Sequence, residues 1–149
     1  KGEAKSKNYI KQLLRVSRIH RHIANQRIDH LHKTSTGIAN QYDVVCVEDL
    51  DMRAMANRGF GNGKATLDNG YGLFLHLLEY KLQDRGKHFV KVSRWFPSSQ
   101  LCSCCGTRHP EMKDLPIRVM KCGCGAIIGR DQNAAINIKK EGLRILKSA

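Results

Sequence analysis

At 149 residues the chain has the length of one domain with a core, too short for two full domains plus linkers. Its 41% hydrophobic and 26% charged content excludes a disordered polymer. A net charge of +13 favours a polyanionic partner, nucleic acid or an anionic surface, and no apolar run approaches the roughly 20 residues that span a bilayer. The opening segment, Lys1 to Lys7, has no apolar stretch of the kind a secretory signal needs. It lacks an initiating Met and begins inside a polar, helix-like run, which reads as a fragment of something longer.

Residues 1–41 carry nine Lys and Arg against Glu3 and Asp29, a local surplus of nine minus two, or +7. Ile10, Leu13, Leu14, Val16, Ile19, Ile23, Ile28 and Leu31 recur mostly at three- and four-residue steps. This pattern predicts one long amphipathic helix with a drifting apolar stripe, ending before Thr34-Ser35-Thr36-Gly37. Arg15, Arg18 and Arg21 on it are candidate nucleic-acid contacts, against the alternative of a merely solvated face. His20, His22, His30 and His32 lie at offsets that diverge on a helix and read as non-ligands.

Tyr42 to Leu50 is a short β-branched run that ends in carboxylates, the pattern of a buried strand whose C-terminal end emerges into a polar site. Asp51–Gly63, with Arg53 and Arg58, reads as a mobile basic loop. Thr66 or Asp68 is a candidate cap for a second helix with Tyr71, Phe74, Leu75, Leu78 and Leu82 on its apolar face, stopped by Gly86. His88 to Ser93 alternates as a strand, and strand–helix–strand order predicts a parallel pair with a crossover. Asp131 to about Leu146 returns to helical spacing.

Between the second strand and this last helix, cysteines dominate. Cys102 and Cys105, sixteen intervening residues, then Cys122 and Cys124 form two pairs, each ending in Cys-Gly. Paired thiolates on two tight turns suit a tetrahedral zinc ribbon, structural because four protein ligands leave no open position. An iron–sulfur cluster also takes four thiolates, Cys104 is a competing ligand, and disulfides are the alternative that an intracellular location disfavours. Cys46, inside the first strand, reads as a small core residue. Asp131 reads either as a helix N-cap or, with Glu48, as one of two hard oxygen ligands of a magnesium site for phosphodiester hydrolysis.

The segments VVCVEDLDMRAM, LEYKLQDRGKHFVKV, FPSSQLCSCCG and CGCGAIIGRDQNAAINI occur in that order, after a basic helix containing RIHRHIANQRIDHLHKTST. Together they resemble the C-terminal half of the TnpB (OrfB) proteins of bacterial insertion sequences, relatives of the type V CRISPR effector nucleases. The resemblance implies an α/β fold: a partial RuvC-like (RNase H-like) domain lacking its first strands, with an inserted four-cysteine zinc ribbon. It divides the chain into 1–98, a ribbon at 99–129, and a returning helix at 130–149. It also implies the catalytic carboxylates Glu48 and Asp131 and zinc on Cys102, Cys105, Cys122 and Cys124, while Arg53, Arg58 and Arg130 join the helix arginines as candidate nucleic-acid contacts.

Magnesium, DNA and a guide RNA are the implied cofactor and partners, in a bacterial or archaeal cytoplasm, and the oligomeric state is left open. The family's first catalytic Asp has no counterpart here, since Glu3 is the only acid before Asp29. The chain alone is therefore expected not to cut DNA. The alternatives are a non-catalytic zinc-ribbon module that binds DNA or RNA and, more remotely, a ribosomal or transcription-type ribbon protein.

Overall fold

A computed structural model describes residues 5–55 and 70–148. Arg58, Thr66, Asp68 and most of the basic loop expected over 51–63 lie outside the described residues. The chain divides into two compact units, 1–41 with 52–81 and 42–51 with 82–149.

The first unit is dominated by α1 (Lys7–Gln41). Ser6 caps it by accepting the Tyr9 amide hydrogen at 3.2 Å. The helix runs through Thr34–Gly37, where the sequence predicted its end. Ser35 and Thr36 turn their hydroxyls back onto the Leu31 and His32 carbonyls, at 2.7 Å each, so these helix breakers stay inside the helical hydrogen-bond pattern. The Lys81 ammonium donates to the His32 carbonyl, Ser35 Oγ and Thr36 Oγ1, all within 2.8 Å, which satisfies a buried cation and fixes that turn. α2 (Met52–Met55) is a single turn containing Arg53. α3 (Tyr71–Gln83) begins at Gly70, whose φ of +64° places it where Leu31 Cδ1 would lie 2.9 Å from an added Cβ. Gly86, at φ +65°, ends the helix, and the Lys87 amide returns to the Leu82 carbonyl at 2.9 Å.

In the second unit, β1 (Val44–Glu48) pairs in parallel with β2 (His88–Val92), Val44 opposite His88 and Glu48 opposite Val92. The expected strand–helix–strand order is present. After β2 a 3₁₀ turn (Pro110–Lys113) and the antiparallel pair β3 (Val119–Lys121) and β4 (Ile127–Gly129) build a small lobe around Cys102, Met112 and Met120. The chain then enters α4 (Arg130–Ser148), which packs on both β1 and β2. Their contact is close because two small residues meet: a Cβ on Gly142 would collide with Cys46 Sγ and stand 2.7 Å from Cys46 Cβ. The strand cysteine is thus the small packing residue its position suggested. Among the described residues no helix is long and apolar enough to cross a membrane.

Candidate metal centre and carboxylate cleft

Two tight turns build the cysteine cluster. Gly106 and Gly125, each after the second cysteine of a pair, have φ of +78° and +89° and donate to the Cys102 and Cys122 carbonyls at 2.8 and 2.9 Å. Only glycine adopts that geometry freely, and it lets both cysteines of a turn face one point. The Sγ atoms of Cys102, Cys105, Cys122 and Cys124 all lie within 4.8 Å of one another, with Cys102–Cys124 at 3.8 Å and Cys105–Cys122 at 3.5 Å. Disulfide sulfurs would be about 2.05 Å apart. Tetrahedral metal–sulfur bonds of about 2.3 Å put sulfurs about 3.8 Å apart, so these four can hold a single metal ion. Cys104 is exposed and outside the group, which resolves the competition between ligands.

The clustered thiols cannot ionise independently. Hydrogen bonds from Thr107 hold Cys105 down at about 6. Cys124, although a backbone hydrogen bond from Ala126 lowers it, is pushed up to about 12 by the sulfurs of Cys122 and Cys105. Such a set releases protons when a cation binds.

α4 fastens the cysteine lobe through one face. Asn133 donates to the Leu101 carbonyl at 2.6 Å and accepts from the Ser103 amide at 2.8 Å. Asn137, one turn on, donates to the Ser98 and Leu101 carbonyls at 2.8 and 2.7 Å, and the Lys140 ammonium reaches the Ser103 carbonyl. Both asparagines are buried. The sequence reading missed them, although two amides four residues apart on an amphipathic helix signal a polar seam on one face. Arg130 also serves this junction, donating to the Asp114 carbonyl at 2.8 Å.

Glu48 lies at the C-terminal end of β1 and is half-buried. Burial pushes its carboxyl above the ordinary value. It lines a cleft of about 590 Å³ with Arg94, Trp95, Arg108, Lys113 and the 96–100 segment. Asp131 is exposed in the first turn of α4, one residue inside the helix. Glu48 and Asp131 therefore come from a strand end and from the start of the helix packed on that strand. Arg15, Arg18 and Arg21 lie exposed along α1 in the other unit.

A family model described as "Cas12f1-like, TNB domain" matches residues 71–138, and the OrfB_IS605 model, described as "Probable transposase", matches residues 1–59. A Streptomyces pristinaespiralis protein named "Putative RNA-guided DNA endonuclease" is 39% identical over 143 residues, 96% of this chain and 34% of its own length. The chain belongs to the TnpB/OrfB family. It spans about a third of the length of the curated relatives it matches. A TnpB-like protein of Acanthamoeba polyphaga mimivirus is 28% identical over 132 residues, 84% of this chain and 24% of that protein. A chain in a cryo-EM structure of a Cas12f1–sgRNA–target DNA complex matches with a TM-score of 0.58 at 21% identity, covering 88% of this chain and 40% of that one. The likeness establishes a shared α/β fold, and the four clustered cysteines of this chain form a zinc-ribbon-like site.

Proposed function

We propose that this TnpB/OrfB chain supplies the second and third carboxylates, Glu48 and Asp131, of a RuvC-like, magnesium-dependent DNA endonuclease that works with a guide RNA. The carrying observation is the position of Glu48. A carboxylate raised by burial, with no ion pair among the described residues, stands in a cleft at the carboxyl end of a parallel strand. Ligand sites of parallel α/β folds lie at that end of the sheet. A half-buried carboxylate with no ion pair of its own also suits a site that takes a divalent metal. Magnesium held by carboxylates supplies an activated hydroxide and stabilises the leaving oxygen of a phosphodiester. Glu48 and Asp131 would act only as oxygen ligands, and packing of α4 on β1 would set their separation.

Zinc on Cys102, Cys105, Cys122 and Cys124 would hold the 99–129 ribbon together without taking part in the reaction. A single ion fits the sulfur spacing, whereas an iron–sulfur cluster distributes its ligands over several irons and spreads them further. Arg15, Arg18, Arg21, Arg53 and Arg58 would contact backbone phosphates, with base pairing to the guide reading the sequence.

The experiment is a titration of the chain with Mn2+, a paramagnetic substitute for Mg2+, in wild type, Glu48→Gln and Asp131→Asn. Each substitution is expected to weaken binding at least tenfold, and unchanged binding in both refutes the shared site. These 149 residues, with only two of the three proposed catalytic carboxylates, are expected not to cut DNA in Mg2+. Turnover that Asp131→Ala abolishes would overturn that expectation.

One observation favours a non-catalytic nucleic-acid-binding module. Asn133 and Asn137 explain much of the Arg-Asp-x-Asn-Ala-Ala block as a clamp on the cysteine lobe, with no chemistry required. The Mn2+ titration decides between the two readings.

A further inference from the structure

The chain's only tryptophan, Trp95, is 85% exposed, more than any other large hydrophobic side chain among the described residues. Its position follows from the turn that ends β2. The Phe96 amide returns to the Ser93 carbonyl at 3.0 Å, and the Trp95 amide donates to Ser93 Oγ at 3.3 Å. Phe96 is left half-buried and Trp95 in solvent. Burying an indole would be favourable, so an indole held in water by a hydrogen-bonded turn points to a ligand surface.

The surroundings specify that ligand. Trp95 lines the same cleft as Glu48, Arg108 and Lys113. Arg94 is turned onto Asp49 and Asp51, at 3.4 and 3.3 Å. Arg108 and Lys113 have no carboxylate partner among the described residues, so they remain available to phosphates. A flat aromatic face next to cations that no carboxylate neutralises, Arg108 donating only to Gln100 Oε1 at 3.5 Å, matches a single nucleic-acid strand, whose bases stack and whose backbone is anionic. A duplex hides its base faces and offers nothing to stack on.

We infer that Trp95 stacks on an unpaired base of single-stranded DNA in this cleft, with Arg108 and Lys113 on the flanking phosphates, and so positions the strand beside Glu48. Trp95 is a positioning residue in this assignment. The identity of the strand as substrate rests on the proposed nuclease reading, but the stacking itself does not.

Because Trp95 is the sole indole, its fluorescence reports this contact directly. The zinc-loaded full chain is titrated with oligothymidylate of about 12 nucleotides, the same backbone carrying abasic sites, a duplex of equal length, and oligouridylate. Oligothymidylate is expected to quench the emission saturably, while the abasic strand and the duplex leave it near the free level. With a labelled strand, Trp95→Ala is expected to weaken binding about 5- to 150-fold, and Trp95→Phe only a few-fold. Zinc content and far-UV circular dichroism of Trp95→Ala should match wild type, given the exposure of the side chain.

Equal quenching by the abasic strand, or wild-type affinity in Trp95→Ala, overturns the inference. More than tenfold preference for oligouridylate overturns the assignment to DNA. None of these outcomes depends on Mn2+ binding at Glu48 and Asp131, so failure of the nuclease reading is seen separately.

Discussion

Gly142→Ala is the sharpest test of how α4 sits on the sheet. In an isolated helix the substitution stabilises by about 1 kcal/mol, because alanine has the higher helix propensity. Here the new Cβ would lie 2.7 Å from Cys46 Cβ and would overlap Cys46 Sγ. Carbon–carbon contact becomes favourable only near 3.5 Å, so the pair must separate by about 0.8 Å. Rotating the cysteine moves its sulfur and leaves its Cβ fixed to the strand backbone. The separation must therefore come from α4 retreating from β1. Overpacking of this kind costs about 1–3 kcal/mol, which equals or exceeds the propensity gain.

Urea unfolding with the slope unchanged should show Gly142→Ala destabilised by up to about 2 kcal/mol. In a double-mutant cycle, Cys46→Gly should restore part of the loss, with a coupling of about 0.5–3 kcal/mol. A variant about 1 kcal/mol more stable than wild type would show that helix propensity prevails and that the close approach is wrong.

Asn137→Ala would leave the buried Ser98 carbonyl without its amide donor, at a cost of about 1–3 kcal/mol, and loss of amide-exchange protection should be largest in the cysteine lobe. Chelation of zinc should unfold the same lobe. Cys104→Ser should keep one zinc per chain, whereas Cys124→Ser should lose it, and atomic absorption reads both. Zinc affinity should fall as pH falls, because Cys124, at about 12 without metal, must give up its proton to bind. Burial raises the folded-state pKa of Glu48, so its contribution to stability is full below the ordinary carboxylate value and is lost as pH rises through the raised one. Glu48→Gln should therefore be at least as stable as wild type at neutral pH and converge with it in acid. Urea midpoints across pH measure this, and a lower midpoint for the variant at neutral pH would refute it.

The amino-acid sequence determined the longer helices, the parallel strands and the four clustered cysteines, because these are encoded locally. Apolar spacing marked α1, α3 and α4, β-branched runs marked β1 and β2, and two Cys-Gly turns marked the four sulfurs. Local signals failed where a distant contact intervened. Thr34–Gly37 reads as a helix end, yet Ser35 and Thr36 bond back into α1 and receive Lys81 from far along the chain.

Tertiary structure alone decided which of five neighbouring cysteines stays out of the cluster, because spacing permits Cys104 and only the turn geometry directs it outward. It also showed that Asn133 and Asn137 clamp the lobe, since a buried amide is recognisable only once its carbonyl partners are known. The same holds for Gly142 and Cys46, ordinary residues 96 positions apart, whose small size matters only because α4 and β1 press together there.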